Sequence, residues 1–313
     1  MQHFDARATR DALPFARLIP ALRRMFVEGC EVPPRQLHRV GAPGGGTMSS
    51  LVMPAWQPGC CYGIKVVNVA PGNAALGLPG LHASYLLFDA NTGVPLALID
   101  GSVLTARRTA AASALAASFL ARADARRLLV VGAGAVARLL PEAHGAVRPI
   151  EQVAVWARSA PKAEALAADW RAAGFDAQAT SDLAGAVAAA DIVSCATLAT
   201  APLVQGRWLR PGSHLDLIGS FTPDMREADD DCFAGARLYV DTEEALTKSG
   251  DLLGPMSRGI FSAEVLGGTL TGLCRGTVAA RQSLAQRTVF KSVGTALEDL
   301  AAAMLVHEAE VKG

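Results

Sequence analysis

Between residues 125 and 242 the chain alternates short, uninterrupted apolar runs with longer stretches of helical spacing. The runs at Arg127–Val131, Gln152–Trp156, Asp191–Cys195, His214–Ile218 and Leu238–Val240 predict buried strands. Residues 135–145, 160–173 and 182–189 predict the helices between them. This alternation specifies an α/β fold with a Rossmann-type, doubly wound parallel sheet. The flanks have a different texture. Residues 11–29 place Leu13, Leu18, Leu22 and Met25 near helical spacing, and "EVPPRQ" ends that helix. "GIKVVNV" (63–69), "HASYLLFD" (82–89) and "PLALID" (95–100) read as strands, with "ANTG" offering a hairpin turn at Gly93. An alanine-rich helix follows from about Thr105 to Ala121. The final stretch, "RTVFKSVGTALEDLAAAMLVHEAEVKG", reads as helical and as a return to the first domain, which becomes a discontinuous α+β unit. The expected division is 1–118 with 286–313, and 119–285.

At the first strand-to-helix junction stands "LLVVGAGAVARLL" (128–140), in which Gly132, Gly134 and Ala137 fit G-x-G-x-x-G/A. The first glycine permits a tight turn, the second lets the backbone approach a pyrophosphate, and the small third residue allows close helix-to-strand packing. A helix N-terminus adds unpaired N–H groups and a favourable dipole for an anion. A strand, turn, helix and second strand within about 30 residues is the context this motif needs. Gly132, Gly134, Ala135 and Val136 are therefore the candidate pyrophosphate residues. The second strand runs into "VAVWARSAPKA", where Arg158, Ser159 and Lys162 stand and no acid precedes Glu164. An acid there would accept ribose hydroxyls, whereas an Arg with a hydroxyl neighbour suits a 2′-phosphate, so the pattern favours NADPH and leaves NADH possible.

Charge narrows the partner. Lys plus Arg equals Asp plus Glu at 29 each in 313 residues, which argues against a nucleic-acid or acidic-membrane surface and for a small-molecule partner. The N-terminal stretch lacks a signal peptide's apolar core, and no charge-free run approaches the roughly 20 residues of a membrane helix, so a cytoplasmic protein is expected. Cysteines 30, 60, 61, 195, 232 and 274 form no C-x-x-C pair and read as reduced and structural, with no metal site expected. Lys65 lies inside an apolar strand pattern, and Arg107 and Arg108 sit in alanine-rich "LTARRTAAASALAA". Such cations either snorkel to the surface or bind an anion, and a substrate carboxylate is one candidate.

The strings "PPRQ", "MPAW", "GIKVVNVAPGN", "TGVPLALIDGSVLTARRTAAASALAA", "VVGAGAVA", "VSCATLATAPLV", "GSHLDLIGSFTPDMREAD" and "FKSVGTALEDL", taken in order over residues 30 to 300, resemble the ornithine cyclodeaminase/mu-crystallin family. The resemblance implies a homodimer whose Rossmann domain is joined to a substrate and dimerisation domain built from both chain ends. It implies that Arg35, Lys65 and Arg108 hold the substrate carboxylate, with Arg108 also reaching the cofactor. It further implies that Thr197, Ser220 and Ser292 face the cofactor and that Val293 lies beside the substrate.

Two departures from the cyclodeaminase pattern bear on activity. Ornithine cyclodeaminases carry an Asp where this chain has Phe221, and a Glu where it has Leu51. Binding a second ammonium and moving its protons are jobs for a carboxylate. What remains resembles the ketimine reductase branch, which reduces Δ1-pyrroline-2-carboxylate and Δ1-piperideine-2-carboxylate. In that reading Lys65 is the catalytic residue, doubling as carboxylate anchor and proton donor, with His82 and Asp100 as other candidate donors. The alternatives are an ornithine cyclodeaminase, an alanine dehydrogenase, or a small-ligand binding protein like mu-crystallin.

Overall fold

The computed structural model describes residues 1–41 and 46–311, and the chain divides into two compact units, Met1–Arg108 with Thr295–Gly313, and Thr109–Gly294. The first unit is built on a six-stranded sheet. Its strands are β1 (Gln2–Phe4), β2 (Gln36–Gly41), β3 (Thr47–Trp56), β4 (Cys61–Val69), β5 (Leu81–Asp89) and β6 (Pro95–Asp100), in the order β1-β6-β5-β4-β3-β2. All neighbours run antiparallel except β1 and β6.

One row across this sheet carries a charged residue into the core. Met53 pairs with Lys65, Lys65 with Tyr85 and Tyr85 with Ile99, so the four share a face, and all are buried. Along β4 the burial alternates, with Gly63, Lys65 and Val67 inward, as expected where an antiparallel sheet covers a core on one face. The cover is helix α10 (Ala296–Val311), which packs on β3 and β4 and also on α2 (Phe15–Glu28). The helix expected over residues 11–29 is two helices, α1 (Ala6–Ala12) and α2, because Pro14 cannot continue a ladder and instead caps the second. Strands β2 and β3 carry no clear alternation in the sequence; β2 is an exposed edge, and only the last part of β3 alternates.

Helix α3 (Gly101–Leu120) crosses from the first unit's residues into those of the second. The second unit is an eight-stranded parallel sheet in the order β9-β8-β7-β10-β11-β14-β12-β13. Its strands are β7 (Arg127–Val131), β8 (Gln152–Trp156), β9 (Asp176–Ala179), β10 (Ile192–Cys195), β11 (His214–Leu217), β12 (Arg237–Val240), β13 (Gly268–Thr269) and β14 (Thr288–Lys291). Every residue of β10, β11 and β14 is buried, because helices and loops cover both faces of a parallel sheet. The strand order reverses between β7 and β10, and ligands of open α/β sheets bind at the carboxyl ends beside such a reversal.

The stretch 287–294, read as helical, contains β14, inserted between β11 and β12. "TVFK" has a β-branched and an aromatic residue at its centre, and Gly294, at φ +76°, ends the extended segment before α10 begins. Residues 286–294 accordingly belong to the second unit. The helix expected over 135–145 starts as a 3₁₀ turn, Ala137–Leu139, followed by α4 (Leu140–Gly145). Pro141 has no N–H to bond back to Ala137, so the tighter turn closes on Leu140. Among the described residues no helix is long and apolar enough to cross a membrane.

Phe290 is fully buried at the centre of β14. Phe290→Ala should cost about 3–5 kcal/mol of unfolding free energy in urea titration. A cost under about 1 kcal/mol would mean that β14 is not part of the folded sheet.

Candidate active site

Lys65 projects from β4 onto α10, and Arg108 from α3, and they meet at one carboxylate. Lys65 Nζ lies 2.6 Å from Asp299 Oδ2, while Arg108 Nε donates to Asp299 Oδ1 at 2.8 Å. Arg108 Nη1 also donates to Glu298 Oε2 at 2.5 Å. All four residues are buried, Lys65 at 1 % exposure and both acids at 0 %. Two formal cations thus meet two formal anions, which is the condition for burying any of them. Burial pushes the Lys65 ammonium down to about 8, against the pull of Asp299. Asp299 is shifted the other way: burial raises its carboxyl, but Arg108 and Lys65 outweigh that and hold it below the ordinary range. Arg108 is likewise desolvated, yet the two acids raise its guanidinium further above neutrality.

The other first-unit candidates separate into members of this face and structural residues. Arg35 is half-buried just ahead of β2, whose first residue, Gln36, pairs with Val52 of β3. Leu51 lies on the face of β3 that carries Met53. Arg107 is structural: its Nε donates to the Leu13 carbonyl at 2.7 Å and its guanidinium stacks 4.3 Å from the Phe15 ring centre. Asp100 is also committed, accepting from the Val103 N–H at 2.8 Å at the start of α3. His82 lies exposed on β5 opposite Asn68.

In the second unit the glycine turn follows β7. Gly132 has φ +121°, and a Cβ there would stand 2.5 Å from the Ala196 carbonyl oxygen, so only glycine fits. Gly134 is the converse: a Cβ would meet nothing within 4 Å, the open backbone approach that a pyrophosphate requires. Ala135 is exposed beside it and Val136 half-buried. The residues present therefore fit a dinucleotide. Beyond β8, Arg158 is exposed, and Ser159 caps α5 (Ala160–Ala172) by position without a side-chain bond, which leaves its hydroxyl to a ligand. Glu164 is engaged by Arg171 at 2.6 Å. A cavity of about 500 Å³ lined by Arg127, Leu128, Gln152 and Val153 lies toward the amino ends of β7 and β8 and runs along β9, away from the carboxyl ends of β7 and β8 where this fold binds ligands.

Three loops at the carboxyl ends of strands hold the remaining candidates. Thr197, after β10, donates its N–H and hydroxyl to Glu227 Oε1 at 2.7 and 2.8 Å. Ser220, after β11, turns its hydroxyl inward: it donates to the Met225 carbonyl at 2.6 Å and accepts from the Asp251 N–H at 3.1 Å. That side chain closes its own loop, so only the Ser220 main chain is available to a cofactor. Ser292 and Val293 follow β14, and the N–H groups of Val293 and Gly294 donate to Asp241 Oδ2 at 2.7 and 2.6 Å. Phe221 is 47 % exposed in the β11 loop. Among the described residues no group of three or more His, Cys, Asp or Glu could hold a metal ion.

Sequence reasoning missed Glu298, Asp299, Glu227 and Asp241. The signal was present for the first pair, since "LEDL" sets two acids in the otherwise apolar stretch from Ala296 to Val306. Glu227 and Asp241 sit in loop sequence, where acids are ordinary, and only the fold shows them to be buried.

The model of the ornithine cyclodeaminase/mu-crystallin family matches residues 25–313. The Δ1-pyrroline-2-carboxylate reductase of Paracoccus denitrificans is 46 % identical over 87 % of this chain and 87 % of its own. The rat ketimine reductase mu-crystallin is 37 % identical over 84 % of this chain and 80 % of its own. Among solved structures, the Thermococcus litoralis Δ1-pyrroline-2-carboxylate reductase, in complex with NADH and L-proline, is 32 % identical with a TM-score of 0.93, over 100 % of this chain and 98 % of that one.

Removing Asp299 strands two buried cations. Asp299→Ala should lower stability by about 3–5 kcal/mol, read by chemical denaturation. A loss below about 1 kcal/mol would show that Lys65 and Arg108 do not depend on it.

Proposed function

The chain belongs to the ornithine cyclodeaminase/mu-crystallin family, and from that membership we propose its place within it: reduction of a cyclic ketimine carboxylate, Δ1-pyrroline-2-carboxylate to proline and Δ1-piperideine-2-carboxylate to pipecolate. It is an NAD(P)H-dependent oxidoreductase acting on a C=N bond. The observation that carries the substrate assignment is a buried cation pair, Lys65 and Arg108, in a chain with Leu51 and Phe221 where a cyclodeaminase has acids. The two cations can anchor one carboxylate, and Glu298 and Asp299 are already engaged by them, while the two positions where a cyclodeaminase has acids are apolar.

In this reading Lys65 and Arg108, joined by Arg35, bind the substrate carboxylate. Arg presents a planar fork and Lys a point charge, and cations beside the carboxylate also draw electron density from the adjacent imine carbon. A lysine whose ammonium is pulled down to about 8 releases a proton more readily than an exposed one, so Lys65 Nζ can protonate the ring nitrogen. A bound nicotinamide dinucleotide supplies the hydride. Gly132, Gly134, Ala135 and Val136 would hold its pyrophosphate, and Thr197, the Ser220 main chain and Ser292 would line its nicotinamide end, with Val293 toward the substrate. Preference for NADPH over NADH is supported by the Ser159 hydroxyl left without a capping bond and by Arg158 beside it. The second unit is then the dinucleotide-binding domain and the first the substrate and dimerisation domain of a cytoplasmic homodimer.

The deciding assay follows loss of NADPH or NADH absorbance with Δ1-pyrroline-2-carboxylate, beside ammonia release from ornithine with NAD⁺. Oxidation with the imine and no ammonia from ornithine is expected; the reverse would overturn the assignment. Arg158→Ala should raise the KM for NADPH about tenfold or more, the scale of one charge-assisted hydrogen bond, and leave that for NADH nearly unchanged. An equal effect on both cofactors would remove Arg158 from the phosphate site. Lys65 is cationic below about 8 and neutral above, so affinity for proline, whose own charges are constant there, should fall as pH rises from 7 to 9.5. An affinity that is flat over that range would contradict the anchoring role.

A further inference from the structure

The loops that follow β10 and β11 touch each other through a glycine. A Cβ on Gly219 would stand 2.0 Å from the Thr197 carbonyl oxygen and 2.5 Å from Glu227 Oε1, so the two loops and one carboxylate occupy a single packed space. Glu227 itself is 0 % exposed. Its Oε1 accepts from the N–H and the hydroxyl of Thr197 at 2.7 and 2.8 Å, and its Oε2 accepts from the Gly219 N–H at 2.6 Å. Its main chain is fixed as well. The Glu227 N–H donates to Asp251 Oδ1 at 2.9 Å, and its carbonyl accepts from the N–H groups of Leu203 and Val204.

We propose that Glu227 is a positioning residue for cofactor binding: its carboxylate latches the Thr197 loop to the Gly219–Ser220 loop and so fixes the main-chain surface that receives the nicotinamide half of the dinucleotide. This rests on the reading that both loops face the cofactor. An ionised carboxylate is required because it is the one group of this size that accepts on both ends. A glutamine turns an NH₂ toward one loop and strands either the Gly219 or the Thr197 N–H against a second donor. An aspartate is one methylene too short to hold both loops.

The latch also titrates. The groups facing Glu227 are Asp251 from α8 (Gly250–Ser257), Lys291 from β14 and Cys195 from β10. Burial raises the Glu227 carboxyl to about 7; Lys291 opposes that and Asp251 adds to it. Protonation converts one acceptor oxygen into a donor and opens the latch, so the ionised form is the one that binds. Cofactor affinity should therefore fall as pH drops through 7.

The experiment is a fluorescence titration of the whole protein with NADH, which lacks the titrating 2′-phosphate, between pH 6 and 8.5 and without any imine. The Kd of the unmodified protein should rise about tenfold from pH 8 to pH 6, the span expected for one proton with a pKa near 7. Glu227→Gln should bind weakly at every pH, with that slope gone, and Glu227→Asp should restore part of the slope but not the affinity. Wild-type-like affinity at pH 8 in Glu227→Gln, or retention of the full slope, would overturn the latch. If Glu227→Gln does not fold, Glu227→Asp decides: an NADH affinity at pH 8 equal to that of the unmodified protein overturns the proposal. Failure of the unmodified protein to bind NADH or NADPH at any pH overturns the cofactor reading and the latch together.

Discussion

Two cations, Lys65 and Arg108, are buried in the first unit, and nothing else in that unit could be arranged as it is unless two carboxylates came in with them. An ion taken from water into a protein interior costs several kcal/mol even after relaxation, and the cost is recovered only by close opposite charge with well-directed hydrogen bonds. That requirement explains why α10 is built from the far end of the chain yet lies on β3 and β4: it delivers Glu298 and Asp299. A hydrophobic quartet would fold at least as well. The charged one gives the unit desolvated cations held in fixed positions, which is what recognition of a small carboxylate demands and what flexible surface lysines cannot provide.

The second unit uses the same economy of buried acids for a different purpose. Glu227 and Asp241 accept main-chain N–H groups from the loops after β10, β11 and β14, and so shape backbone at the carboxyl ends of a parallel sheet. Lys291 supplies charge among them, its Nζ donating to the Leu217 carbonyl at 3.0 Å and lying 3.8 Å from Asp251. Loops that bind a ligand through their main chain need such fixing, because their own side chains do little of it.

How far the sequence revealed this differed between the two units. Buried parallel strands are plain apolar runs, so β7, β8, β10, β11 and β12 could be read directly, and Gly132 and Gly134 marked the turn that fits a dinucleotide. Strand β14 escaped because its four residues border a helix rich in alanine and leucine, and helical pattern swamps so short a run. Strand β2 escaped because an exposed edge has no face to bury, and β3 because only its last part alternates. Lys65 and Arg108 stood out as charges in apolar company, but their pairing with Asp299 depends on a contact between chain ends that no local pattern encodes. Ser220 shows the opposite failure: a hydroxyl placed correctly after a strand turns inward once its loop is built.

The central claim is that the quartet around Asp299 is a carboxylate receptor. Its most direct test is a crystal structure of the protein soaked with pyrrole-2-carboxylate, a planar five-membered ring acid that cannot be reduced at an imine. The account predicts the ligand carboxylate at about 3 Å, hydrogen-bond distance, from both Lys65 Nζ and the Arg108 guanidinium. A carboxylate bound elsewhere, with the Lys65, Arg108, Glu298 and Asp299 contacts unaltered, would show the quartet to be structural and contradict the account.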